Sequence, residues 1–62
     1  MIKKVSELIK GETIIFENKE REITFICRDI DPRWADYFLV EMKGVKGTKM
    51  MKETDKVEVK IK

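Results

Sequence analysis

Lys56-Val57-Glu58-Val59-Lys60-Ile61-Lys62 alternates charged and apolar residues without a break. A period of two puts Val57, Val59 and Ile61 on one face of an extended strand and Lys56, Glu58, Lys60 and Lys62 on the other. A helix would spread the same residues around its whole circumference. Working back from this strand, Thr54-Asp55 reads as a turn and Thr48 to Glu53 as a weaker strand. Gly44-Val45-Lys46-Gly47 is a glycine-bounded hairpin loop. Before it, Tyr37 to Lys43 alternates Phe38, Val40 and Met42 against Tyr37, Leu39 and Glu41.

Asp31-Pro32-Arg33-Trp34-Ala35-Asp36 interrupts the strand pattern, because Pro32 lacks an amide donor and restrains Asp31. Glu22 to Ile30 is predicted as a strand with Ile23, Phe25 and Cys27 on one face and Thr24, Ile26 and Arg28 on the other. Asn18-Lys19-Glu20 is turn-like, and Thr13 to Phe16 is β-branched and aromatic, a strand by type. In that strand Ile14 and Phe16 are predicted inward and Ile15 outward. Val5 to Gly11 reads as one or two helical turns, with Ser6 at the start and a left-handed Gly11 at the end. Leu8 and Ile9 would plug one end of the sheet.

Five short strands with no long crossover imply an antiparallel meander. Such a sheet must curl and close, or its edges would invite aggregation. The expected fold is therefore all-β: a single domain over residues 1–62, a small five-stranded antiparallel SH3-like barrel with a short N-terminal helical turn. An OB-like barrel is the alternative closure. A short helix before five strands is similar to the Sm-like RNA-binding fold, and size and charge are similar to small archaeal chromatin proteins. The second-strand glycine and loop motifs of the Sm-like family are absent, so the likeness is of architecture.

The chain of 62 residues carries 14 basic and 12 acidic groups, with no histidine and a single cysteine, Cys27. Lysine, glutamate and isoleucine dominate and amides are scarce, a composition that points to a thermophile. A lone cysteine closes no disulfide within the chain, and no apolar run approaches the ~20 residues that span a bilayer. No signal-peptide core is evident, so the expected setting is the reducing cytoplasm.

Catalysis finds little in the sequence. Without histidine there is no base that titrates near neutrality, and Cys27 has no imidazole partner. Glycine-rich phosphate loops are missing, and Asp29, Asp31 and Asp36 lack the glycine and terminal glutamate of a calcium loop. The expectation is a non-enzymatic binding module with no cofactor, no metal site and no evident small-molecule substrate.

Charge is uneven along the chain. Residues 43–62 hold seven basic and three acidic groups, whereas residues 11–42 hold four basic and eight acidic. Lys43, Lys46, Lys49, Lys52, Lys56 and Lys60 are predicted to form a basic face that meets the phosphates of DNA or RNA. Arg33, Trp34 and Tyr37 add groups that stack on bases. The same lysines would also keep an edge strand soluble, and Trp34 would equally close the rim of the core. The alternative function is a protein-interaction module or homodimer that uses Trp34, Tyr37, Leu39 and Ile26 as an apolar surface.

Overall fold

The computed structural model describes residues 1–60. It is all-β, a single antiparallel sheet of six strands. These are β1 (Ile2–Lys4), β2 (Thr13–Phe16), β3 (Lys19–Arg28), β4 (Tyr37–Met42), β5 (Lys49–Lys52) and β6 (Lys56–Lys60). Their order across the sheet is β1-β6-β2-β3-β4-β5. The five-stranded count is thus corrected to six, and the sheet is not closed: β1 and β5 are its two edges.

The extra strand comes from the segment expected to be helical. Ile2–Lys4 pairs antiparallel with β6, placing Lys3 opposite Val57 and Lys4 opposite Lys56. Helix then lasts only one 3₁₀ turn, Val5–Glu7. The backbone amides of Val5 and Ser6 donate instead to the carbonyls of Asp55 and Glu53, so tertiary hydrogen bonds take the groups a longer helix would use. Ser6 caps nothing. The Lys4 amide is capped by the Glu7 carboxylate at 2.8 Å. Val5 and Leu8 plug the core, whereas Ile9 is exposed. Gly11 does take a left-handed φ of 96°, as expected of a residue that reverses the chain there.

The turn between β2 and β3 is Glu17-Asn18, one residue earlier than the polar run suggested. Both residues have positive φ, 51° and 65°, the backbone of a tight two-residue hairpin whose twist matches its strands. That turn lets β3 begin at Lys19 and pair fully with β2, Phe16 lying opposite Lys19. β3 stops at Arg28, and Ile30 stands in solvent.

The pattern of faces along β3 also departs from simple alternation. Its register against β4 shifts between Ile23 and Phe25. Such an irregularity adds a residue to one strand and flips every later side chain. Ile23, opposite Met42, and Ile26, opposite Val40, therefore both face the core. Phe25 and Cys27 turn to the outer face, reversing the predicted assignment. On β4 the prediction holds: Val40 and Met42 are buried and Phe38 packs against the core.

Val5, Leu8, Ile14, Ile23, Val40, Met42 and Val59 form the buried core, with Phe16, Val57 and Met51 packed against it. Burial of each aliphatic side chain contributes about 1.5–3 kcal/mol. In a chain this short each is a large part of the net stability. Ile61 and Lys62 lie outside the described residues.

Both sheet edges are blunted by the protein's own carboxylates. On β5, the Lys52 amide donates to Asp55 Oδ2 at 3.3 Å, and the Lys52 carbonyl accepts from the Asp55 amide. On β1, Glu7 takes the Lys4 amide. Because successive residues of a strand point their hydrogen-bonding groups to opposite sides, only Met50 on β5 and Ile2 on β1 keep outward backbone groups. These short, lysine-bearing edges are poor templates for another strand.

Candidate nucleic-acid interface

Pairing sorts the predicted basic and aromatic residues into groups that differ from their order in the chain. Lys43, Lys46 and Lys49 lie at the loop end of the β4–β5 hairpin, whereas Lys52 stands opposite Tyr37 at its other end. Lys56 and Lys60 lie on β6, which follows β5 after the tight Glu53–Asp55 turn, so Lys56 is near Lys52. Arg33, Trp34 and Tyr37 lie at the end of β4 opposite the hairpin loop. Tyr37 to Met42 separates the two ends of β4 by about 17 Å.

The hairpin is the most basic element. Over residues 43–52 it carries four lysines and no acidic residue. Among the described residues none of the four lysines forms an ion pair. The loop is pinned at its base by the Lys43 amide, which donates to the Glu22 carbonyl at 2.9 Å. It turns through Gly44, at a φ of 83°.

Arg21 belongs to this site and was not singled out from the sequence. It sits opposite Ile14 on the core side of β3. Its guanidinium packs so closely on Gly44 that a Cβ there would lie 2.5 Å from Nη1. Arg21 Nε is buried and unpartnered among the described residues. A guanidinium with no ion pair among the described residues adds a fourth cation to Lys43, Lys46 and Lys49 at this end of the hairpin. The i, i+2 spacing of Arg21 and Ile23 was the signal for its inward position.

On β6 the lysines are arranged differently. Lys60 Nζ lies 3.5 Å from Glu20 Oε2. Lys56 stands opposite Lys4, a like-charge pair that costs a few tenths of a kcal/mol or more. Ile2, Lys3, Lys4, Glu7 and Lys56 line an open groove of about 260 Å³. Lys3 is spoken for by Glu12 at 2.7 Å. That lysine hydrogen bond, with the Ile9 amide also donating to the carboxylate, holds the Glu12 carboxyl below its ordinary range against the opposing effect of burial.

At the aromatic end, the sequence explains the local backbone. Asp31 begins a 3₁₀ turn, Pro32–Trp34, with its Oδ1 accepting from the Arg33 amide at 3.0 Å. Pro32 fits the first position, where no amide donor is needed. The Arg33 guanidinium is bound to the Asp31 carboxylate at 3.1 Å. It is the main cause of that carboxyl being held below its usual range, the Arg33 amide adding to it. Trp34 meets Tyr37 edge to face, centroids 5.5 Å apart and planes at 79°. Lys52 Nζ lies 6.0 Å from the centre of the Tyr37 ring. Arg28 donates to Glu53 and to the Ala35 carbonyl, and stacks on Phe38 at 4.8 Å.

Charge separates the two ends. Asp29, Asp31, Asp36, Glu53 and Asp55 surround the aromatic pair, against Arg28, Arg33 and Lys52. This end is net acidic, while the loop end of the hairpin, with Lys43, Lys46 and Lys49, is wholly basic. Phosphate is therefore attracted to the hairpin and repelled from Trp34. Among the described residues no three His, Cys, Asp or Glu side chains are grouped to hold a metal ion. No described helix is long and apolar enough to cross a membrane. No family model, no curated protein and no solved structure matches this chain.

Proposed function

We propose that this protein is a small, non-enzymatic nucleic-acid-binding module that grips the phosphate backbone with its β4–β5 hairpin. The observation that carries this reading is the run from Lys43 to Lys52, which holds no acidic residue and whose lysines form no ion pair among the described residues, with Lys43, Lys46 and Lys49 gathered at the loop end. Arg21 adds a positioned guanidinium at its base. No aromatic side chain lies within the hairpin, so it contacts phosphate and not bases, and binding is largely independent of sequence. Lys56, set opposite Lys4, and Lys60, beside Glu20, stand outside the contact, as does Trp34. The strand order supports reading the curled sheet as an SH3-like barrel left open between β1 and β5, with β6 returned beside β2.

An amide-shift titration with a short duplex tests the proposal at about 50 mM and about 200 mM salt, a range over which phosphate-driven binding collapses. Shifts centred on residues 43–52 and Arg21, lost at the higher salt, are expected. Unchanged spectra at both salts overturn it.

A further inference from the structure

The outer face of β3, β4 and β5 carries an apolar row bounded by Glu41, opposite Phe25, and by Lys52, opposite Tyr37. Cys27, Leu39 and Met50 lie directly opposite one another across the three strands. Phe25 and Tyr37 flank this row on the same face, two residues away on β3 and β4. Trp34 leans on Tyr37. Phe25, Trp34 and Met50 are 45%, 45% and 48% exposed, high values for side chains of this size. Aromatic and methionine side chains gathered on one face are the composition of a protein-binding surface.

We infer that this face, continued by the acidic end around Trp34, docks a protein segment that alternates apolar and basic side chains. The apolar residues of the partner cover Phe25, Cys27, Leu39 and Met50. Its lysines or arginines meet the acidic end. Asp31 and Glu53 are already engaged by Arg33 and Arg28, but Asp29, Asp36 and Asp55 have no ion pair among the described residues. That surplus selects a cationic partner and repels a nucleic acid, so this surface is distinct from the hairpin. The Tyr37 ring already has the Lys52 ammonium near its face, so the partner's cations meet the carboxylates and not that ring. The segment lies across the face instead of extending the sheet, because Asp55 occupies the Lys52 backbone and only Met50 is left to pair.

Trp34 is the only tryptophan, so its emission reports on this end alone. The whole protein is titrated with two peptides of about ten residues, long enough when extended to cross the three strands. One alternates valine with lysine, the other valine with glutamate. The lysine peptide is expected to shift Trp34 emission and the amides of Phe25, Cys27, Leu39 and Met50, and the glutamate peptide to leave them unmoved. Met50→Ser and Asp36→Asn, both at exposed positions, should each weaken binding about three- to tenfold. Unshifted amides in the free variants would confirm that their fold is intact. Equal response to the two peptides, no response to either, or a concentration-dependent mass with shifts on this face would overturn the inference, the last in favour of a second copy.

Discussion

Replacing Lys46 and Lys49 by glutamine removes two of the three lysines at the loop end of the hairpin without touching the core. Both side chains are exposed and unpaired among the described residues. Each lysine on a phosphate releases condensed counterions, so for duplex DNA the logarithm of affinity falls with that of salt at a slope of about −0.9 per contact. Lys43, Lys46 and Lys49 at the loop end give a slope of about −2.7. Between about 50 mM and about 200 mM salt, affinity then falls about 40-fold. With only Lys43 left the slope is about −0.9 and the fall about 3.5-fold. The assay is fluorescence anisotropy of a labelled duplex at four or more salt concentrations, with thermal melting as a control for the fold. If the double variant keeps the parental slope, the hairpin does not hold the phosphates. An unchanged slope after Lys56→Gln with Lys60→Gln is the matching expectation for β6.

Further expectations concern the fold and its pH dependence. Ile14→Ala empties a fully buried site and should cost about 3 kcal/mol in urea unfolding; a cost below about 1 kcal/mol would contradict the packing described. Asn18→Ala, at a φ of 65°, should destabilise by about 1 kcal/mol, because alanine pays the left-handed penalty that asparagine largely escapes. Gly44→Ala should destabilise through both the positive φ and the clash with Arg21, visible as a lower melting temperature. Glu12→Gln should cost about 1–2 kcal/mol through the lost Lys3 bond. The folded Glu12 carboxyl titrates below its ordinary value of 4.5. Its contribution is therefore complete above that value and disappears as pH falls through the folded pKa. The wild-type stability advantage over the variant should vanish in that acid window, and persistence at lower pH would refute the linkage.

The lysine hairpin and the aromatic corner were both visible in the sequence, but their relation was not. Lys43 to Lys60 reads as one basic stretch along the chain. The fold sorts it by partner: Lys52 lies beside Tyr37 and, across the Glu53–Asp55 turn, near Lys56, while Lys56 stands opposite Lys4 and Lys60 lies beside Glu20. Arg33, Trp34 and Tyr37 are near the lysines of β5 in strand order, yet the direction of β4 sends the loop lysines to its far end. Arg21 was hidden among glutamates, since its role depends on Gly44, which approaches only after β3 and β4 pair.

Periodicity alone determined the β class, the inward faces of β2, β4 and β6, and the left-handed turn at Gly11. Those features depend on neighbours a few residues apart, where side-chain alternation and backbone sterics dominate. Tertiary structure decided the rest. The strand Ile2–Lys4 exists because β6 offers it an edge, overriding a weak local preference for helix. The faces of Phe25, Ile26 and Cys27 follow from one register shift that the pairing with β4 imposes. One displaced residue exchanges core for surface in a strand, and no short stretch of sequence records where that displacement falls.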